Sequence, residues 1–283
     1  MTIAVTGATG QLGQLVINGL RERRVDGVVA LARAPEKARQ LDVVTRRADY
    51  DDPATLFTAL AGVDTLLLIS SSELGKRAAQ HQSVIDAAGA AGVKRIVYTS
   101  LLHADSSPLN LAPEHRATEL SLKKSGVPFT ILRNGWYIEN HTGSLDGAIA
   151  SGAVIGSAGA GRFSAATRAD FADAAVEALT GHGHEGQTYE LAGDEAYSLT
   201  DLAQELSRQV GRNIVYKDLP EREYGAALAS FGLPAELAQA IASWDVAASG
   251  DALFEPNGAL SRLIGRPTTS LSVAMANVLQ GRH

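Results

Sequence analysis

Short runs of β-branched and other apolar residues alternate, over the first half of the chain, with stretches whose apolar positions recur at helical spacing. The runs fall at residues 2–6, 28–32, 43–44, 65–69, 95–99 and 129–132, and the helical stretches include 11–23, 54–60, 76–91 and 113–125. The strands are apolar on both faces, which predicts a parallel sheet covered by helices on each side. Right-handed crossovers wind such a sheet into a doubly wound α/β fold of the Rossmann type. After residue 133 the alternation loosens. Residues 134–140 form an unusual loop, 156–161 a small-residue loop, 169–179 a helix, and 188–191 and 213–217 short strands around a helix over 200–210. From residue 221 the pattern is helical, with glycine or proline breaks near 232–234, 255–256 and 266–267. The expected organisation is a nucleotide-binding core over residues 1–155. Residues 156–283 then supply the remaining sheet elements and a small, mostly helical C-terminal substrate lobe, interleaved with the core rather than independent. Open α/β sheets bind ligands at the carboxyl ends of their strands, and the lobe is expected there.

The turn after the first strand carries the chemistry. Gly7, Ala8, Thr9, Gly10, Gln11, Leu12 and Gly13 read GATGQLG, with glycines at three-residue spacing between a strand and a helix. Gly7 lets the strand turn, Gly10 lets backbone approach a pyrophosphate, and Gly13 lets the helix pack on the strand. The helix N-terminus then offers unpaired N–H groups to phosphates. No Gly-Lys-Ser/Thr follows, so an ATPase phosphate loop is excluded. At the end of the second strand, where an NAD site commonly carries an acid, stands Arg33. An arginine there suits a 2′-phosphate, so NADP is the expected cofactor, with NADPH preferred over NADH and Lys37 as support. Asp49 is expected mainly to cap the helix that starts near Pro53, and adenine contact is its second role.

Composition narrows the rest. The net charge is −6, from 25 basic and 31 acidic residues without a basic block, which argues against a nucleic-acid partner. Without cysteine there is no disulfide, zinc thiolate or thiol nucleophile. No apolar run is long enough to enter a membrane, and the first strand begins at once, so a cytoplasmic protein is expected. A homo-oligomer remains open.

Alcohol-oxidising short-chain dehydrogenases use Tyr-x-x-x-Lys, in which the lysine lowers the tyrosine pKa. None of the 7 tyrosines has lysine four residues on, and the corresponding segment offers His115 and Glu119. Ser100 without the tyrosine is weak support for carbinol chemistry. A strongly electrophilic acceptor such as a quinone fits better, because hydride goes directly to the ring and water can supply the proton. His103 and His115 are candidate proton donors by position, with loop polarity as the ordinary alternative. His182 and His184 read as a surface turn rather than a metal pair, and no metal is expected.

Several motifs together carry a family resemblance: GATGQLG (7–13), LLISSSE (67–73), YTSLLHAD (98–105), LRNGWY (132–137), TRAD (167–170), YELAGDE (189–195) and LIGRPT (263–268). The chain resembles the NAD(P)H:quinone oxidoreductases among the NmrA-like atypical short-chain dehydrogenases, with triphenylmethane dye reductases close by. The resemblance spans nearly the whole chain and implies flavin-free, metal-free reduction of quinones by NADPH. It implies cofactor contacts at Gly7, Ala8, Thr9, Gly10, Gln11, Leu12, Arg33, Ser70, Ser71, Ser72, Gly135, Trp136, Tyr137, Ile138, Glu139, Asn140 and Phe171. Close relatives tend to carry tyrosine at the last position, so a hydroxyl bond is lost there. The catalytic residue is left open. Trp136 and Tyr137 are candidates to flank the nicotinamide or the acceptor ring, and Asn140 to hydrogen-bond a carboxamide or quinone oxygen. NmrA-like proteins also include non-catalytic dinucleotide sensors, which is the second reading.

Overall fold

The computed structural model describes residues 1–281. In chain order the elements are β1 (Ile3–Val5), α1 (Gln11–Glu22), β2 (Val28–Ala32), a 3-10 helix (Pro35–Leu41), β3 (Val44–Arg47), α2 (Pro53–Leu60), β4 (Thr65–Leu68), α3 (Arg77–Ala90), β5 (Arg95–Leu101), α4 (Ala112–Lys124) and β6 (Phe129–Asn134). There follow α5 (Ile138–Thr142), α6 (Leu145–Ser151), β7 (Ala153–Gly156), α7 (Arg168–Thr180), β8 (Thr188–Leu191), α8 (Leu199–Val210), β9 (Val215–Asp218), α9 (Glu221–Ser230), α10 (Ala235–Ser249), α11 (Ala259–Ile264) and α12 (Leu271–Gln280). The chain forms two compact units. The first comprises residues 1–105, 111–134 and 168–190, and the second 106–110, 135–167 and 191 onward.

The first unit is built on a seven-stranded sheet of order β3-β2-β1-β4-β5-β6-β8. The pairings from β3 to β6 are parallel, and Val5 lies opposite both Ala30 and Leu67. The order reverses at β1 and β4, the switch point of a doubly wound sheet. Strand residues alternate between its faces. Val29, Leu31, Leu66, Leu68, Ile96 and Tyr98 pack with Leu56, Leu60, Val84, Ile85 and Leu122 from α2, α3 and α4. Burying each of these large apolar side chains stabilises the fold by about 1.5–3 kcal/mol. The opposite face is covered by α1 and α7, which meet closely enough that a Cβ at Gly19 would stand 3.1 Å from Val176.

Three local expectations change. The third strand runs past residues 43–44 through Thr45, Arg46 and Arg47; it edges the sheet, and Val44 is 61% exposed, so its pattern is polar. Asp49 does not cap α2, whose N-cap is Asp52 without a side-chain bond. Its Oδ1 instead accepts from the Asp51 N–H at 3.2 Å within the turn. The strand expected at 213–217 is β9, and it pairs with β7 rather than with the large sheet. The β7 strand, enclosed by Gly152 and Gly156, was not among the expected strands.

In the second unit, Gly161 lies against the backbone of Ala248 and Ser249. A Cβ there would collide with the Ala248 carbonyl oxygen and stand 2.7 Å from its carbon. Gly161→Ala should lower stability by about 1–3 kcal/mol, as overpacking typically does, measured as a shift in denaturant midpoint. An unchanged midpoint would show that α10 yields freely.

Candidate functional site

The glycine turn leaves no room for side chains. Gly7 has φ +58°, a conformation glycine adopts without strain. A Cβ at Gly13 would collide with the Gly7 carbonyl and stand 2.9 Å from the Ala8 Cα, and one at Gly10 would stand 3.2 Å from the same carbonyl oxygen. α1 therefore starts directly against the strand end. Its N-cap, Gly10, makes no side-chain cap bond, and the first turn contains no acid. Gly7, Thr9, Gly10 and Gln11 are exposed, while Ala8 and Leu12 are buried beneath them. Uncapped N–H groups, a positive helix end and a backbone-walled turn fit a pyrophosphate. These residues fit a dinucleotide.

The loop after β4 has its backbone tied by side chains from several elements. The Ile69 N–H donates to Thr6 Oγ1 at 2.9 Å, the Ser70 N–H to Thr99 Oγ1 at 3.0 Å, and the Ser71 N–H to His81 Nε2 at 2.9 Å. The carbonyls are held as well: Tyr50 Oη donates to that of Ile69 at 3.0 Å and Arg77 Nε to that of Ser71 at 2.6 Å. Buried main-chain groups need partners, and here side chains supply them. Arg77 is itself buried and pairs with Glu114 at 3.3 Å. Neither the Ser70 nor the Ser72 hydroxyl bonds another described residue. This loop does not cap α3, which begins at Arg77 with Lys76 as N-cap.

His81 is neutral in this arrangement. Its Nε2 accepts from Ser71, so Nδ1 bears the hydrogen and faces Thr118 Oγ1 at 2.9 Å. That hydroxyl in turn donates to the Glu114 carbonyl at 3.0 Å. Burial, with the Arg77 charge nearby, pushes the His81 pKa down to about 3. His115 is also held down to about 3, by burial first and then by Arg77 and His81. Its Nδ1 lies 2.7 Å from the Tyr98 hydroxyl. Burial raises the Tyr98 phenol well above its ordinary value.

His115 is therefore not a proton donor at ordinary pH, contrary to the role considered for it. Ser100 is also committed. Its hydroxyl donates to Glu119 Oε1 at 2.6 Å, and Arg133 donates to the same carboxylate through Nε at 2.9 Å and Nη2 at 2.6 Å. Glu119 is 2% exposed. Arg133 further engages Glu190 at 2.7 Å and Asp105 at 2.8 Å, and hydrogen bonding to Glu119 foremost raises its pKa. Losing one member of such a buried charged pair typically costs about 3–5 kcal/mol. Glu190 also accepts from the His103 N–H at 2.8 Å, where the backbone has φ +54°. The Tyr–Lys position is thus filled by a closed Ser–Glu–Arg network.

Arg33 projects from the end of β2, 67% exposed, and pairs with Glu73 at 2.9 Å. Phe171 lies on α7, completely buried. His184 is not a surface residue: it is buried, with Nδ1 2.8 Å from the Tyr189 hydroxyl.

In the second unit, the Gly135 N–H donates to Leu191 O at 2.8 Å, and a Cβ at Gly135 would stand 3.0 Å from that oxygen. The Ala166 N–H bonds the Trp136 carbonyl at 3.1 Å and the Ile138 N–H bonds the Ala166 carbonyl at 2.9 Å. Tyr137 is the N-cap of α5, with Glu139 in its first turn and Asn140 exposed. The Trp136 ring meets Trp244 edge-on at 5.8 Å. Trp244 Nε1 donates to Asn110 Oδ1 at 2.7 Å, whereas Trp136 Nε1 is buried without a partner among the described residues. Sequence reading missed Trp244 and Asn110, and their separation of 134 positions offered no signal.

These features define a dinucleotide-binding Rossmann protein of the glycine-turn type. A family model described as NAD(P)H-binding matches residues 7–182. The chain belongs to this NAD(P)H-binding family. It is 52% identical to quinone oxidoreductase 2 of Escherichia coli over 98% of both chains. The crystal structure of an Escherichia coli NADPH-dependent quinone oxidoreductase complexed with NADPH superposes with a TM-score of 0.95, at 52% identity, covering 98% of this chain and all (100%) of that one. A Citrobacter triphenylmethane reductase complexed with NADP(H) matches with a TM-score of 0.94 at 36% identity, covering 98% of this chain and 100% of that one. Among the described residues, no helix is long and apolar enough to cross a membrane.

The neutral buried histidines set a pH dependence. In the unfolded chain they titrate near about 6.5, so below that pH unfolding takes up protons that the folded form refuses until pH approaches about 3. Stability should be unaffected by this pair above about pH 6.5 and fall progressively beneath it. In denaturant titrations from neutral to acid pH, His81→Gln should reduce the proton uptake of unfolding by about one. An unchanged slope would mean that His81 is charged in the folded chain.

Proposed function

We propose that the chain is an NADPH-dependent quinone reductase that transfers hydride directly, without flavin or metal. The observation that carries this reading is the closed Ser100–Glu119–Arg133 network at the Tyr–Lys position. With the serine donor engaged and His115 neutral and buried, that position supplies no acid to a carbinol oxygen. A quinone needs none: hydride addition yields a hydroquinone anion, which water protonates. The resemblance to a quinone oxidoreductase over the full chain supports the same substrate class.

NADPH, when bound, supplies the hydride from its dihydronicotinamide ring. On this reading the α1 N-terminus, with Gly7, Ala8, Thr9, Gly10, Gln11 and Leu12, holds the pyrophosphate, and Arg33 takes the 2′-phosphate. Ser70, Ser71 and Ser72 allow close approach of the dinucleotide, and their tied backbone keeps the loop from reorganising on binding. Gly135, Ile138, Glu139 and Phe171 complete the proposed cofactor contacts. Trp136, Tyr137 and Asn140 are proposed to orient the acceptor, and the unpartnered indole N–H of Trp136 suits a quinone oxygen. Holding donor and acceptor in contact can supply several kcal/mol of the barrier without a strong acid. The proposed setting is the cytoplasm, with a small quinone as partner.

Protein stripped of flavin and treated with chelator should oxidise NADPH only when a quinone is added. Activity that disappears on this treatment and returns with flavin or metal overturns direct transfer, and dinucleotide binding without turnover makes the chain a sensor.

Tyr137→Phe should change turnover little, since only a hydroxyl is lost, whereas Trp136→Ala should lower it strongly while circular dichroism stays unchanged. A large loss in Tyr137→Phe, with the alkaline limb of the pH–rate profile gone, would make Tyr137 a general acid.

A further inference from the structure

The Arg33–Glu73 ion pair has a distinctive place in the sheet. Arg33 directly follows β2 and Glu73 follows β4, and these strands flank β1 on either side. The bridge from Nη1 to Oε1, 2.9 Å long, therefore passes over the carboxyl end of β1, where the glycine turn begins. Glu73 is fixed from below: its N–H donates to Ser71 Oγ at 3.2 Å, and Ser71 is held by His81 and Arg77. Its second oxygen, Oε2, lies 3.5 Å from Lys76 Nζ. One carboxylate is thus shared by two cations.

We infer that Glu73 competes with the cofactor's 2′-phosphate for Arg33, and that this exchange of one anion for another sets the preference for NADPH over NADH. The inference rests on the reading that Arg33 takes the 2′-phosphate. A phosphate arriving at Arg33 meets a carboxylate already on the guanidinium, and like charges at this spacing repel. Glu73 can release Arg33 and keep Lys76, so the exchange leaves no carboxylate unpaired. NADH carries no 2′-phosphate and leaves the pair intact. Arg33 and Glu73 are both solvent-accessible, so the competition is moderate and screened by salt.

Dissociation constants for NADPH and NADH, from fluorescence titration of the wild type, Glu73→Gln, Arg33→Ala and the double variant, test this. Glu73→Gln should tighten NADPH by about three- to tenfold and leave NADH unchanged, as expected for removing one partly exposed charge. In the Arg33→Ala background the same substitution should have no effect on either cofactor. The gain should shrink in about 1 M salt, where the screening length is roughly 3 Å. Weaker or unchanged NADPH binding in Glu73→Gln, while Arg33→Ala still abolishes the preference, overturns the exchange and leaves the Arg33 reading standing. A preference that survives Arg33→Ala overturns both. Equal change for the two cofactors in Glu73→Gln would make Glu73 a support of the loop instead. Thermal melts of each variant check that the fold is intact.

Discussion

The contact between Gly13 and the backbone of Gly7 and Ala8 is the constraint on which the cofactor end of the first unit depends. It lets α1 begin against the end of β1, so the helix's first N–H groups and its positive end sit where the strand stops. A side chain at position 13 would push the helix away, and the glycine turn would lose its wall. The register of β1 between β2 and β4 then places the Arg33 and Glu73 loops on either side of that turn.

Polar groups in the rest of the first unit serve two different ends. In the β4 loop, Thr6, Tyr50, Arg77, His81 and Thr99 satisfy backbone N–H and C=O groups. They tie the loop backbone from several elements at once. At β5, α4 and β6 the polar groups satisfy one another: Ser100 and Arg133 both donate to the buried Glu119, and Arg133 also engages Glu190 and Asp105. A fully satisfied buried network rigidifies its surroundings. The first arrangement fixes the backbone of a loop; the second fills the Tyr–Lys position with a buried ionic network.

Legibility in the sequence followed this division. The alternation of strands and helices, the glycine turn and most helices could be read from period and spacing, because each depends on residues close in the chain. The edge strand β3 was cut short because only one end of it is apolar, and β7, enclosed by Gly152 and Gly156, was not among the expected strands. Ser100 and His115 were open as chemical groups until their partners were seen: Glu119 lies 19 positions from Ser100, and Tyr98 lies 17 from His115. Trp136 was recognisable as an aromatic near the end of a strand, but nothing local announced Trp244 or Asn110.

The sequence by itself determined the fold class, the dinucleotide turn and the lack of a Tyr–Lys pair. Each of these is a matter of residue type at short spacing, where steric limits on the backbone and helix and strand periods operate. Only the tertiary structure decided which polar groups remain available. It consumed Ser100, neutralised His81 and His115, buried His184 against Tyr189 and placed Glu73 on Arg33. The reason is physical: a side chain's charge and hydrogen-bonding capacity are set by desolvation and by partners within about 3 Å. Those partners come from strands and helices that the chain brings together only on folding.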